Sequence, residues 1–283
     1  MQQEKGTISQ KKTQHAHMEL VEGYFDTHSK YWSDAYLRPR YVNDFVLIAR
    51  NRIAVDFLCS YLRPQATVLD AGCGAGLTTM ALVEKGFFVH GVDISQRMLD
   101  LCEQNLSEKD ILPSRYLLTQ ADLLQAELRE NSFDGIVALG FLQYQMDEHR
   151  ALLALNKLLQ PGGILVVSGP VKVKLSNYFG LGTIYYAVKN SLQKLQNNGE
   201  LAVLHQISTH YYSLGRFRGL LRQAGFQLLD YKGHGFVNFA IIRDWTSRGQ
   251  HFLHRFFTRL SKFLPIERFG NDMVVVARKQ EEK

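Results

Sequence analysis

The feature that most constrains this chain is a run of closely spaced glycines directly after a short apolar segment. Residues 67–71, Thr-Val-Leu-Asp-Ala, have the composition of a buried strand, and Gly72, Gly74 and Gly76 follow at every second position. Glycine adopts backbone conformations that other residues avoid and lets a ligand approach the main chain closely. A strand that turns into a helix through such glycines is typical of α/β folds, whose ligands lie beyond the carboxyl ends of the strands.

Strand and helix patterns alternate along most of the chain. Strands are predicted over residues 67–71, 87–93, 116–120, 133–139, 164–168, 226–231 and 273–277, and helices over 45–62, 78–85, 95–106, 147–159 and 213–224, with Ser95 as an N-cap and a turn at 161–163. Successive βα units predict an α/β fold with a doubly wound, mostly parallel seven-stranded sheet that has helices on both faces.

The remaining segments are assigned by their position around this sheet. We expect a flexible tail at residues 1–22, an N-terminal helical lid at 23–62 and the main domain at 63–279. Two helical insertions, at about 171–212 and 233–270, interrupt the alternation late in the chain. Such insertions are where an α/β domain commonly recognises its substrate.

The choice of cofactor depends on two carboxylates near the glycines. Asp93 ends the second strand, where it can accept hydrogen bonds from two ribose hydroxyls, so an adenosine-containing cofactor is expected. A nicotinamide cofactor favours the spacing Gly-x-Gly-x-x-Gly, with a helix N-terminus facing its pyrophosphate. Here the spacing is Gly-x-Gly-x-Gly and Asp70 precedes it. This carboxylate would repel a pyrophosphate but suits a ligand with an ammonium group and a sulfonium.

These motifs resemble those of the class I, Rossmann-like S-adenosylmethionine-dependent methyltransferases of the small-molecule type. The resemblance covers residues 67–168, about a third of the chain, and includes Phe133-Asp134 and residues 158–163 as later motifs. It implies S-adenosylmethionine as the cofactor. The binding residues that it implies are Asp70, Gly72, Gly74 and Gly76 in the first motif, Asp93 and Ile94 after the second strand, and Asp122 and Leu123 after the third. Asp122 also fits as the N-cap of a short helix.

An aromatic segment at residues 21–36 precedes the sheet. It resembles the helix that closes over the cofactor in several small-molecule methyltransferases. The resemblance makes Tyr24, Phe25, Trp32 and Tyr36 candidate lid residues, and Tyr24 and Trp32 candidate cofactor contacts. Such rings exclude water and favour a cation. Equally, they fit a role in fixing the helix to the core.

The acceptor is expected at residues 138–144, after the fourth strand. The segment lacks the Asn-Pro-Pro-Tyr and Pro-Cys signatures of base methylation in nucleic acids, so no nucleic-acid partner is expected. It also lacks carboxylates for a divalent cation, and no metal is predicted. A base is needed only for a protonated acceptor. Tyr144, His205 and His210 are the candidate catalytic residues, although a loop histidine is more often structural.

Composition places the protein in a reducing, cytoplasmic setting. Hydrophobic residues make up 46% of 283, and the three cysteines lack the spacing of a metal site or disulfide framework. No apolar run is long enough for a signal peptide or membrane span. Residues 251–264 predict an amphipathic helix with basic residues opposite its aromatic face. It either packs on the domain or makes a peripheral contact with an anionic membrane.

The sequence therefore predicts O- or C-methylation of a small lipophilic metabolite, such as a quinone or prenyl-type ring, a porphyrin-like molecule or a polyketide. The alternative is a protein of this fold that binds S-adenosylmethionine or its demethylated product without turnover. A nicotinamide-dependent oxidoreductase is disfavoured by the glycine spacing and by Asp70.

Overall fold

The computed structural model describes residues 2–39, 42–171, 207, 210–234 and 272–281. Its helices are α1 (Gln2–Leu37), α2 (Val42–Tyr61), α3 (Leu77–Glu84), α4 (Gln96–Glu108), α5 (Glu148–Leu158) and α6 (Leu214–Gln223). Its strands are β1 (Thr67–Ala71), β2 (Phe88–Asp93), β3 (Tyr116–Gln120), β4 (Phe133–Ala138), β5 (Leu159–Pro170), β6 (Phe226–His234) and β7 (Asp272–Lys279). Short 3-10 turns lie at Pro113–Arg115 and Leu142–Tyr144.

The described strands form one sheet in the order β3-β2-β1-β4-β5-β7-β6. Strands β1 to β5 pair in parallel, and β7 runs antiparallel to both β5 and β6. The chain order reverses between β1 and β4, and the loops that leave their carboxyl ends separate there into a crevice. The predicted doubly wound, mostly parallel seven-stranded sheet is confirmed.

Helices cover both faces of the sheet because its central strands bury side chains on both sides. Leu69 of β1 and Ile136 of β4 lie in one buried cluster, which α5 and α6 complete. Their neighbours Val68 and Val137 lie in the other, which residues of α2, α3 and α4 complete. All four side chains are fully buried. This packing on both faces holds the strand ends, and therefore the loops that follow them, in fixed positions.

The predicted bounds agree with the structure within a few residues, with one exception. Strand β5 begins at Leu159 and so includes the turn predicted at residues 161–163. Phe133 pairs with Leu159 but Gly135 pairs with Ile164, so the residues between them bulge out of the ladder. Gly162 permits this with a φ of 76°. The predicted N-cap is confirmed, since the Ser95 side chain accepts a hydrogen bond from the Met98 N–H.

The N-terminal segment also differs from its prediction. Helix α1 continues from Gln2 to Leu37 without a break at residue 22, where a flexible tail was expected to end. Met18, Val21 and Tyr24 are spaced by three positions and are buried together with Ile207. This buried face explains why a mostly polar sequence is helical here. Both predicted insertions lie almost entirely outside the described residues.

Candidate functional site

A cavity of about 430 Å³ lies at the carboxyl ends of β1, β2 and β4, with α1 and α2 over it. Cofactor and substrate pockets typically measure about 300–1,000 Å³. Its described lining consists of Met18, Val21, Phe25, Tyr31, Trp32, Tyr36, Val46, Leu47, Arg50, Gly72, Gly74, Val92, Asp93, Ile94, Met98, Ala121, Asp122, Leu123, Leu139, Gly140, Phe141, Gln143, Tyr144, Gln145, Pro170 and Asp272. The crevice predicted from the sheet is thus an open, lined site.

The three glycines of the first motif occupy different places. Gly72 and Gly74 line the cavity, with φ values of 75° and 54° that favour glycine. Gly76 does not line it. It is the N-cap of α3, with a φ of 89°, and a Cβ there would lie 2.5 Å from Cys102 Sγ on α4. The first two glycines open the site, whereas the third allows two helices to pack closely.

Asp70 is placed differently from the sequence expectation. Its carboxylate accepts a hydrogen bond of 2.7 Å from the Thr79 hydroxyl of α3, and only 2% of the residue is exposed. It is absent from the cavity lining. Burial raises the pKa of Asp70 to about 7. The side chain therefore connects β1 to α3 beneath the glycine turn, and does not face the cavity as a free carboxylate.

Asp93 lines the cavity, as expected for a ribose-binding carboxylate. One of its oxygens accepts the Gly74 N–H at 2.8 Å and the other accepts the Ser95 N–H at 3.0 Å. Withdrawal from bulk water raises the pKa of Asp93, although these two N–H groups and that of Ile94 oppose the shift. The Ser95 hydroxyl donates in turn to Asp26 of α1 at 2.5 Å. Sequence reasoning did not find Asp26, which connects the N-terminal helix to this end of the cavity.

The remaining candidates after β2 and β3 also line the cavity. Ile94 and Leu123 contribute apolar surface, and Asp122 lies beside them. One oxygen of Asp122 accepts the Leu124 N–H at 3.1 Å, and the other accepts a hydrogen bond from the Gln125 side chain at 2.6 Å. Residues 123–125 form a turn, so the short helix that Asp122 was alternatively expected to cap is not formed.

Aromatic side chains of α1 form one wall of the cavity. Phe25, Trp32 and Tyr36 are at helical spacing on one face, and the Phe25 ring meets the Tyr144 ring edge-on at 5.2 Å between centroids. Tyr24 does not line the cavity. It is 7% exposed and stacks on His28 within the buried cluster. Of the two residues assigned to the cofactor in this helix, the structure places Trp32 at the cavity and Tyr24 in the core.

The three candidate catalytic residues differ in their position relative to the cavity. Tyr144 lines the cavity, and burial raises the pKa of its hydroxyl. His210 lies outside the lining, where Nε2 is 2.9 Å from the Gln145 carbonyl oxygen and Nδ1 is 3.7 Å from a carboxylate oxygen of Glu148. This geometry joins two loops and corresponds to the structural interpretation of a loop histidine. His205 lies outside the described residues.

Sequence reasoning missed two charged residues that face the cavity near β4. Arg50 of α2 and Asp272, the first residue of β7, both line it, and Arg50 Nη1 is 3.4 Å from Asp272 Oδ2. They are 222 positions apart, so no local motif connects them. Arg50 falls within a helix predicted on its apolar spacing, and a charged residue in such a helix is usually solvated.

Residues 69–167, which extend from β1 into β5, match a family model described as a methyltransferase domain. This segment contains the glycine turn, Asp93 and Asp122. This segment, about a third of the chain, is a methyltransferase domain of the class I, S-adenosylmethionine-dependent type. The predicted family and cofactor are thereby confirmed.

Individual proteins agree with this assignment. The "Putative methyltransferase YqeM" of Bacillus subtilis (strain 168) is 26% identical over 199 residues, 65% of this methyltransferase and 79% of that protein. The ubiquinone biosynthesis O-methyltransferase of Coxiella burnetii (strain Dugway 5J108-111) is 33% identical over 113 residues, 38% of this chain and 47% of that enzyme. The second likeness therefore spans about half of the relative's length.

A solved structure shows the same fold. The magnesium protoporphyrin IX methyltransferase (ChlM) from Synechocystis PCC 6803, crystallised with SAH, has a TM-score of 0.61 and 18% identity. The likeness covers 93% of this methyltransferase and 100% of that chain. At this identity the comparison concerns the fold alone.

Among the described residues, no group of three or more His, Cys, Asp or Glu side chains is arranged to hold a metal ion. Within the same part of the chain, no helix has the length and apolar character needed to cross a membrane.

Proposed function

We propose that this methyltransferase transfers a methyl group to an oxygen or carbon atom of a small lipophilic acceptor. The observation that carries the proposal is the apolar and aromatic surface beside the glycine turn, to which Phe25, Trp32, Phe141 and Tyr144 contribute. Two of the similar proteins are named for ubiquinone biosynthesis and magnesium protoporphyrin IX. These names support a quinone-type or a porphyrin-like acceptor for this protein.

The residues around the glycine turn fit S-adenosylmethionine. The positive φ values of Gly72 and Gly74 leave the backbone open to a ligand, because no Cβ projects into the cavity. Asp93 still has acceptor capacity beside the N–H groups of Gly74, Ser95 and Ile94, since a carboxylate offers about four lone-pair sites. We assign it to the ribose hydroxyls, and Ile94, Asp122 and Leu123 to the adenine. Asp70 and Gly76 support the turn on the side away from the cavity, through Thr79 of α3 and through the close packing of α3 on α4.

The aromatic wall suits the charge of the methyl donor. A cation near the face of an aromatic ring gains roughly 0.5–2 kcal/mol, depending on its desolvation. Trp32 and Tyr36 of α1 offer such rings, and with Phe25 they form one wall of the cavity. A neutral aromatic wall is also compatible with an apolar acceptor, whereas a wall of charged side chains would lose hydration against it.

Methyl transfer is an in-line displacement, so the protein acts mainly by alignment and by excluding water. When bound, S-adenosylmethionine supplies an electrophilic methyl group. In this proposal the glycine turn and Asp93 fix the position of the donor, and the loop after β4 positions the acceptor. Tyr144 lies in that loop and lines the cavity. We assign its hydroxyl to a contact with the acceptor. His210 lies outside the cavity and holds the loop after β4 through its contact with the Gln145 carbonyl oxygen.

The test is to incubate purified protein with isotopically labelled S-adenosylmethionine and an organic-solvent extract of cells, and to follow the label by mass spectrometry. Label is expected in a small molecule that partitions into the organic phase. Asp93→Asn should lose this labelling because it disrupts the ribose site. Asp100→Asn is the matched control, since it makes the same change at an exposed position of α4.

Two results would contradict the proposal. Label found only in protein or RNA would show that the acceptor class is wrong. Tight binding of S-adenosylhomocysteine without labelled product in any fraction would favour the alternative of a cofactor-binding protein without turnover.

Two further predictions concern the cellular setting. A peripheral membrane contact through residues 251–264 would bring the protein to a lipophilic acceptor, but this segment lies outside the described residues. Cytoplasmic localisation likewise stays a prediction. Flotation of the full chain with anionic and neutral lipid vesicles tests the membrane contact.

A further inference from the structure

Helices α5 and α6 pack against each other on one face of the sheet, and both are basic. Helix α6 contains three arginines and no acidic residue. Helix α5 contains Arg150 and Lys157 and a single acidic residue, Glu148, which is buried. The helices on the other face, α2, α3 and α4, carry six carboxylates and three arginines. Charge is therefore distributed unequally between the two faces of the molecule.

One arginine of α6 is neutralised within the protein and two are not. Arg216 Nη2 donates to Glu148 Oε2 at 2.5 Å, and this carboxylate is only 6% exposed. The pair joins α6 to α5. Arg218 and Arg222 are one helical turn apart, on the side of α6 away from its buried residues, and both are exposed. Their two charges are therefore available to a partner.

The outer side of α5 alternates basic and apolar residues. Arg150, Leu153 and Lys157 follow one another at helical spacing, so they share one face, and all three are exposed. Leu153 is 40% exposed. Arg150 donates to the Gln14 side chain of α1, a neutral group that leaves the charge of the guanidinium in place. An apolar side chain exposed between two cations is the pattern by which helices bind the surface of a bilayer.

Two further exposed apolar side chains lie in segments that connect this surface to the cavity. Met146 is 47% exposed and follows Gln145, which lines the cavity. Tyr211 is 48% exposed and precedes Tyr212. The Tyr212 N–H donates at 2.8 Å to the carbonyl oxygen of Pro170, another lining residue. The basic surface is thus joined to the cavity wall through two short segments of chain.

We propose that the outer surface of α5 and α6 binds an anionic lipid bilayer. Arg150, Lys157, Arg218 and Arg222 contact the headgroups, and Leu153 inserts between them. These residues are different from the helix predicted at 251–264. The purpose of the contact rests on the proposed function, since a lipophilic acceptor dissolved in the bilayer would then lie close to the cavity wall.

The exposed apolar side chains favour a bilayer over a nucleic acid. Cations alone would also suit a phosphate backbone. Leu153 and Met146, however, offer neither a hydrogen bond to a phosphate nor a ring on which a base could stack. Between lipid headgroups the same side chains leave water, which is favourable. An anionic bilayer therefore fits both the charged and the apolar residues of this surface.

The test is cosedimentation of the full chain with vesicles of phosphatidylcholine, prepared with and without phosphatidylserine. Wild type should bind the vesicles that contain phosphatidylserine, and less as salt screens the charges. Arg218→Gln combined with Arg222→Gln should weaken this binding by roughly 10-fold to 30-fold, because each basic residue near an anionic leaflet contributes a factor of about five. The matched control is Arg52→Gln combined with Arg97→Gln. It removes the same charge from exposed positions on the other face, and should change binding by less than about twofold.

A second pair of variants tests the apolar part of the surface. Leu153→Asn should weaken binding to the same vesicles by about threefold to tenfold, because a leucine side chain gains when it leaves water. Leu112→Asn is the matched control. Leu112 is 66% exposed just before β3, outside the proposed surface, so its variant should bind as wild type does.

Three results would overturn the proposal. The first is equal binding to both kinds of vesicle. The second is an α6 double variant that loses no more binding than its control, which would also be the outcome if residues 251–264 alone bound the membrane. The third is binding to RNA and not to vesicles, with the same dependence on Arg218 and Arg222.

The vesicle assay needs neither turnover nor cofactor. Missing product in the extract assay therefore counts against the proposed function alone, and unchanged vesicle binding counts against the α5 and α6 surface alone.

Discussion

Replacing Asp70 by asparagine distinguishes a carboxylate that supports the glycine turn from one that contacts the cofactor. In the structure Asp70 is buried against Thr79 and outside the cavity lining. Asparagine has nearly the same shape, and its side-chain oxygen can still accept the Thr79 hydrogen bond. We therefore expect Asp70→Asn to bind S-adenosylhomocysteine within about threefold of wild type, a difference below roughly 0.7 kcal/mol.

The same variant should change how stability depends on pH. The pKa of Asp70 is about 7 in the folded protein, whereas an unfolded aspartate titrates near 3.9. Between these values the folded state holds a proton that the unfolded state has released. The free energy of unfolding of the wild type therefore falls as pH rises through this window, and the destabilisation is complete above pH 7. Asparagine has no such proton, so its advantage over aspartate should grow by about 3 kcal/mol from pH 5 to pH 8.

The assay is urea unfolding of wild type, Asp70→Asn and Asp100→Asn at pH 5 and pH 8. Asp100 is exposed on α4, so its variant should follow the wild type at both values. If the advantage of Asp70→Asn changes by less than about 1 kcal/mol between the two pH values, the burial argument is wrong. If calorimetry shows that the variant loses S-adenosylhomocysteine binding by tenfold or more, the carboxylate contacts the cofactor as the sequence suggested.

Two other predictions use three single substitutions. Asp93→Asn should weaken S-adenosylhomocysteine binding by roughly 30-fold to 100-fold, because hydrogen bonds to a charged group contribute about 1.5–3 kcal/mol each. Calorimetry that showed less than a threefold loss would remove Asp93 from the ribose site. Gly91→Ala should destabilise the fold by about 1–3 kcal/mol, since its Cβ would lie 2.8 Å from a methyl of Leu118. Gly219→Ala in α6, where a Cβ meets nothing within 4 Å, should instead stabilise it by about 0.5–1 kcal/mol in urea unfolding. Equal effects of the two alanines would refute the packing argument.

The sequence predicted correctly those site residues that lie directly after a strand, because their place in the sheet follows from their place in the chain. Gly72, Gly74 and Asp93 sit at the ends of β1 and β2, and parallel strands bring those ends to one edge. Local order was therefore sufficient to place them. Asp70 was assigned to the cofactor from the motif, whereas strand geometry indicates another position. Residues two apart point to the same face, so Asp70 follows Val68 towards α3.

The parts that sequence missed depend on contacts between distant segments. Arg50 and Asp272 meet only because β7 runs antiparallel to β5 and returns the chain to the cavity edge, pairing Asp272 with Pro170. No periodicity in either segment indicates this. The helix from Gln2 was missed for a similar reason, because Met18 and Val21 are too few to identify an amphipathic face until the cavity beneath them is known.

The N-terminal helix α1 contacts the site in two places. Its polar contact is with Ser95, and its aromatic side chains form a wall of the cavity. The Ser95 hydroxyl donates to Asp26 and accepts the Met98 N–H of α4, and Ser95 lies two positions after Asp93. This connects α1 to the nucleoside end of the cavity. Further along the same helix, Tyr36 lies beside Arg50, and the Trp32 ring packs against Tyr36. One helix thus contacts both Ser95 and the surroundings of Arg50, so any shift of α1 that breaks the Asp26 hydrogen bond also displaces the aromatic wall.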